Sequence, residues 1–184
     1  MPQILIVTLG PIQDLIAAAR RSRDLWFGSW LLSELSKATA RAMAEECGFD
    51  ALIFPGVVNP DELKPASDTS VANKIVLRVP DGKDSAVVAR RGEEGMRRRL
   101  RALRDEAFER IRADHFHRSR AEEQVDDLIE FAWVSAAETG PGGYPAAREA
   151  AESLLAGRDQ ERPVEVESQD RRSADRRLTD DSCP

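Results

Sequence analysis

QILIVTLGPIQDLIAAARRSRDLWFGSWLLSEL, residues 3–35, joins a short apolar run to a long amphipathic pattern through a Gly-Pro corner. Ile4, Leu5, Ile6 and Val7 form a continuous, β-branched-rich run too short to cross a membrane, which predicts a strand buried on both faces and central in its sheet. Gly10 accepts any backbone angle, and Pro11 brings a φ already set for the first helical position while lacking an N–H that would go unpaired there. The corner therefore predicts a helix start. From Ile12 onward Leu15, Ile16, Ala19, Trp26, Trp30, Leu31 and Leu35 recur mostly every three or four positions, as one face of a helix requires. Arg20, Arg21, Arg23 and Asp24 interrupt that face and need water, an ion-pair partner or a ligand. A solvated turn between two helical segments, with Asp24 paired to an arginine, accounts for them without a ligand. Gly28 and Ser29, between the two tryptophans, predict a kink or the close approach of another backbone, because Gly inside a helix costs about 1 kcal/mol relative to Ala.

Residues 34–46 continue the helix, with Leu35, Ala38, Ala42 and Met43 on one side, Lys37, Arg41 and Glu45 on the other, and Gly48 as its stop. Residues 51–54 predict a second strand closed by Pro55-Gly56, and residues 57–71, with Asn59-Pro60 and Pro65, a long loop. Residues 74–79, KIVLRV, predict a third strand ended by Pro80-Asp81-Gly82. Strand, long helix, strand, strand is the front of a ferredoxin-like or palm-type α+β unit. Residues 85–117 predict a charged helix with Met96, Leu100, Leu103, Ala107 and Ile111 as a narrow apolar stripe. Residues 90–123 hold 11 Arg against 8 Asp plus Glu, a mildly basic segment in an acidic chain. A surface helix laced with ion pairs such as Glu106 to Arg110 explains it, and a contact with RNA or another subunit stays open. A second helix is expected over residues 121–137, with Val125, Leu128, Ile129, Ala132 and Trp133 on one face, then a break at Gly140-Pro141-Gly142-Gly143 and a short helix over residues 144–155.

The chain has 184 residues and a formal net charge of −6, which fits about one domain and argues against coating nucleic acid as a unit. Cys47 and Cys183 support neither a disulfide framework nor a zinc site, and no signal peptide or spanning run is found, so a cytoplasmic setting is expected. Asp114-His115-Phe116-His117 reads as a helix end rather than a metal cluster. Residues 158–184 hold almost no large apolar side chains beyond Val164, Val166 and Leu178, and predict a disordered polar tail after a domain of residues 1–157.

The linked motifs Leu9-Gly10-Pro11-Ile12-Gln13, Ala19-Arg20-Arg21-Ser22-Arg23-Asp24-Leu25-Trp26 and Gly28-Ser29-Trp30-Leu31-Leu32-Ser33 resemble the N-terminal palm-like domain of the large subunit of type III-B CRISPR effector (Cmr) complexes. Ile53-Phe54-Pro55, Ala72-Asn73-Lys74 (Ala72 standing where the family usually has Pro) and the segment over residues 124–133 are fainter echoes in the same order. The resemblance implies a partial palm, nucleotide-cyclase-like, with a long first helix, a helical insert over about residues 85–137 and further C-terminal helices. It implies antiviral defence, with other Cmr subunits and the CRISPR RNA ribonucleoprotein as partners. In that family a nuclease can precede the palm, and a Gly-Gly-Asp-Asp hairpin of a second palm binds metal for making cyclic oligoadenylate from ATP. Neither pattern occurs here: Asp126-Asp127 lies in a predicted helix with no glycine before it, Gly142-Gly143 is followed by Tyr144, and Asp180-Asp181 falls in the tail. No catalytic or metal-binding residue, and no catalysis by this chain alone, is therefore expected, and ATP with Mg is expected only alongside a second palm domain encoded elsewhere. Gly10, Pro11, Gln13, Arg20, Arg21, Arg23, Asp24 and Ser29 are the implied nucleotide contacts, and the same residues equally suit a palm–palm or subunit contact. A reading frame lost near Gly157 is expected to have left a remnant, which a downstream continuation in another frame would reveal. The alternative is an independent small α+β nucleotide-binding protein or enzyme that reuses the palm scaffold.

Overall fold

The first strand, β1, runs Gln3–Gly10, and Ile4, Leu5, Ile6 and Val7 are all fully buried, as a strand covered on both faces must be. The computed structural model describes residues 1–11, 19–112, 116–139 and 142–160. β1 is flanked by β3 (Lys74–Val79) and β4 (Glu130–Ala137), and β2 (Leu52–Phe54) lies outside β3, giving an antiparallel sheet in the order β2-β3-β1-β4. The period of two divides β1 between two cores. Leu5, Val7 and Leu9 face α1 (Ser22–Cys47) and α2 (Ser85–Glu109), where Leu35, Met43, Val88 and Met96 are buried. Ile4 and Ile6, with Val76 and Val134, face α4 (Gly143–Gln160) through Ala147, Ala151 and Leu155. The short α3 (Arg118–Asp126) links α2 to β4.

Several expectations are met closely. The fold is α+β, the third strand spans the predicted residues, and α1 stops at Gly48, whose φ of 100° is open to glycine and whose N–H donates to the Ala44 carbonyl at 2.7 Å. Others are corrected. Residues 130–137 are a strand, not the end of a helix over residues 121–137. The Ala and Glu around Trp133 favour a helix locally, but eight consecutive positions pair with β1, from Gln3↔Ala137 to Gly10↔Glu130, and that ladder outweighs propensity. The charged helix ends at Glu109, and the lower part of its predicted stripe is wet, since Ala107 and Ile111 are exposed. The helix expected from Pro11 falls on residues 12–18, outside the described residues; Ala19, Arg20 and Arg21 are not helical, so α1 begins afresh at Ser22. Asp114 and His115, and the tail from residue 161 onward, also lie outside the described residues.

The helices α1 and α2 cross in close contact at two glycines. A Cβ on Gly92 would lie 2.8 Å from Met43 Sδ, and one on Gly95 would lie 2.7 Å from Ala42 Cβ and 2.9 Å from the Ala38 carbonyl oxygen. The second neighbour is backbone and cannot swing aside. Gly95→Val is therefore expected to lower stability by about 1–3 kcal/mol through overpacking, read as an earlier urea midpoint with an unchanged slope. No such crowding surrounds Gly28, where an added Cβ meets nothing within 4 Å, so no other backbone approaches α1 there among the described residues.

Candidate functional site

The connection from β1 to α1 carries the sequence-predicted site. Gly10 and Pro11 are half-buried at the end of β1, Gln13 lies outside the described residues, and Arg20, Arg21, Arg23, Asp24 and Ser29 are exposed. Arg21 is the N-cap of α1, and its backbone N–H donates to Asp24 Oδ2 at 3.1 Å. Asp24 also lies 3.7 Å from Arg23 Nε. Its carboxylate thus satisfies the Arg21 amide at the positive end of the helix dipole, a capping role inside the helix rather than the ion pair of a turn between two helices. Arg20 and the Arg21 guanidinium have no hydrogen-bond or ion-pair partner among the described residues. Asn73, from the faint Ala72-Asn73-Lys74 motif, is structural: its Nδ2 donates to the Leu9 carbonyl at 3.0 Å and its own carbonyl accepts from Leu9 N–H at 2.9 Å, fixing where β1 ends.

Beyond the arginines, α1 departs from the expected buried face. Leu25, Trp26, Phe27 and Trp30 are exposed, Trp26 to 78%, and burial starts only at Leu31. The rings of Phe27 and Trp30 lie 5.8 Å apart, so these two form one exposed aromatic pair beside Leu25 and Trp26. The reason is geometric. The first two turns of α1 find no sheet or helix beneath them among the described residues, so periodicity alone could not bury them. Several large apolar side chains are thus left in solvent on the first turns of α1.

A second cluster was not foreseen. Lys37, expected on the polar side of the helix, is buried with Glu34, their side chains 3% and 1% exposed and ion-paired. Lys37 Nζ also donates to the Ser67 carbonyl at 3.0 Å and Ser67 Oγ at 3.2 Å. Glu34 accepts from Arg99, through Nη2 and through Nε at 3.1 Å, and from Ala66 N–H at 3.1 Å. Ala66 is held at φ 59°, a strained angle for a residue with a Cβ, and Val71 N–H donates to Ser33 Oγ at 2.9 Å, so the loop before β3 is laced onto α1. Burial alone would raise the Glu34 pKa, but hydrogen bonds from Lys37, Arg99 and Ala66, with the Lys37 charge, hold it below the ordinary carboxylate value. The one available signal was the adjacency of Ser33, Glu34, Ser36 and Lys37 to Leu32 and Leu35, polar groups too close to an apolar face to stay in water.

Asp126 is occupied structurally as well, with Oδ1 3.0 Å from Arg104 Nη1 and its carbonyl accepting from Arg97 Nη1 at 3.2 Å. Among the described residues no three His, Cys, Asp or Glu side chains converge to hold a metal ion, and no helix is long and apolar enough to cross a membrane.

Against known families, the model described as CRISPR-associated protein Cmr2, N-terminal, matches residues 4–109, more than half of the chain. No curated protein matches it. The matched residues contain β1, α1, β2, β3 and α2, and stop short of α3, β4 and α4.

Proposed function

The chain belongs to the Cmr2 N-terminal family, the N-terminal region of the large subunit of type III-B CRISPR effector complexes, and from that membership we propose that it is a docking domain of the complex, non-catalytic by itself. The observation that carries this reading is the aromatic surface of Leu25, Trp26, Phe27 and Trp30 beside Arg20 and Arg21, a concentration of solvent-exposed apolar area that a free-standing domain has no use for. Aromatic and arginine side chains are the residue types that anchor interfaces. The element order β-α-β-β-α-α-β-α, in which the short α3 is inserted before β4, and the strand order β2-β3-β1-β4 support a palm-type domain. The partners are then other Cmr subunits and the CRISPR RNA ribonucleoprotein, in the cytoplasm. Nucleotide enters this reading only through a second palm domain: Arg20, Arg21 and Arg23 would meet the phosphates, and the missing metal ligands would come from the partner.

Co-expression with the other Cmr subunits tests it. Trp26→Ala/Trp30→Ala is expected to weaken co-purification by about 30-fold or more, the effect of losing a central aromatic anchor. The isolated variant should keep its stability within about 0.5 kcal/mol, because both rings are exposed in the free domain. Unchanged co-purification would remove the aromatic surface from the interface. Calorimetry with ATP and Mg²⁺ supplies the other arm. Saturable binding to the isolated chain that Arg20→Ala/Arg23→Ala removes would show that it needs no second palm to hold nucleotide.

A further inference from the structure

Past Gly95 the two long helices part and leave a groove of about 340 Å³ between them, within the range of small-molecule sites. Its apolar lining is Ala38, Ala42, Gly95 and Ala102 with Leu63 and Pro65, and its charged lining is Lys37, Arg41, Arg98 and Arg99 against Glu34 and Glu45. Four cations against two carboxylates leave an excess of two positive charges, in a chain whose net charge is −6.

The distribution of partners makes this excess local. Glu45 sits at the rim, 2.9 Å from Arg41 Nε, and the two cancel. Glu34 is the carboxylate of the interior, and it serves both Lys37 and Arg99, which are 3% and 19% exposed. One negative charge thus answers two positive charges removed from most of their water, a costly arrangement unless another anion completes it. Lys37 already donates to Glu34 and Ser67, so it contributes charge and no spare proton. Arg99 uses Nε and Nη2 on Glu34, which leaves Nη1 without a protein partner among the described residues. Arg98, exposed on the same wall, has no hydrogen bond or ion pair among them at all.

We propose that this groove binds the phosphate group of a small phosphorylated molecule. Arg98 and Arg99 supply the donors in the planar geometry that suits phosphate oxygens, the buried Lys37 adds charge behind them, and the apolar lining of Ala38, Ala42, Leu63 and Pro65 seats the organic body of the ligand. Glu34 lies ten residues along α1 from Asp24, about 15 Å at the helical rise, so the groove is separate from the β1–α1 arginines.

Titration of the full chain with inorganic pyrophosphate, followed by calorimetry, tests this. Saturable binding is expected. Arg98→Ala should weaken it about tenfold by removing one charge-assisted pair. Ala102→Leu, which narrows the groove without changing charge, should weaken it too, while the urea midpoint of both variants stays put. The proposal is overturned by absence of saturation at millimolar pyrophosphate, by binding that neither groove variant alters, or by binding that Arg20→Ala/Arg23→Ala abolishes, which would move the anion to the β1–α1 connection.

Discussion

Glu34→Ala is expected to destabilise the protein by about 3–5 kcal/mol, because it leaves the Lys37 ammonium buried with no carboxylate and strips Arg99 and Ala66 N–H of their acceptor. Urea unfolding followed by circular dichroism reads it. Replacing both by Glu34→Leu/Lys37→Met should recover only the part of the loss that comes from the unpaired Lys37 charge, because Arg99 and the Ala66 N–H still lack their acceptor. A wild-type-like midpoint for Glu34→Ala would mean that water reaches Lys37 and that the loop over residues 60–71 is held by other contacts. The same carboxylate gives a pH dependence of fixed sign. Its pKa is depressed in the folded protein, so its contribution is fully present above the unfolded value of 4.5 and is lost as pH falls through the lower folded value. Stability measured from neutral pH downward should therefore drop in the acid range, and Glu34→Gln should flatten that drop.

The other large effect is expected on the opposite side of the sheet. Ala151→Asp puts a carboxylate at a fully buried position of α4, among Ile4, Ile6, Val76 and Val134, and should cost about 3–5 kcal/mol as an unpaired buried charge. The position lies beyond residue 109, where the family match ends. If β4 and α4 form one folding unit with the matched residues, the loss appears as a single cooperative transition moved to lower urea. If α4 only rests on a domain complete without it, the main transition stays and a separate early one appears. Lys74 to Glu152 at 2.9 Å and Arg78 to Glu138 at 2.9 Å also join β3 to this far side, but both pairs are partly exposed and contribute little beside the apolar contact.

What was legible in the sequence follows from how local each signal is. The four-residue run at Ile4 to Val7 needs no partner information to be read as a doubly buried strand, and Gly48, Pro80 and Gly82 punctuate their elements through backbone constraints of their own. The family resemblance rested on strings near residues 9–33, and the matched model covers them. By contrast, the sequence over residues 130–137 predicts helix because its alternation is blurred by Ala132, Ala136 and Ala137, and what makes it the strand β4 is the free edge of β1, more than a hundred residues away.

Amphipathic periodicity determined by itself that α1 is a helix and that one of its faces meets a core. Only the tertiary structure decided where that core ends along the helix. It left Trp26 and Trp30 exposed because no described sheet or helix covers them, and drew Lys37 and Glu34 inside because the loop before β3 folds over them. Periodicity states which residues share a face. Whether that face meets protein or water depends on elements distant in sequence, and that is a property of packing.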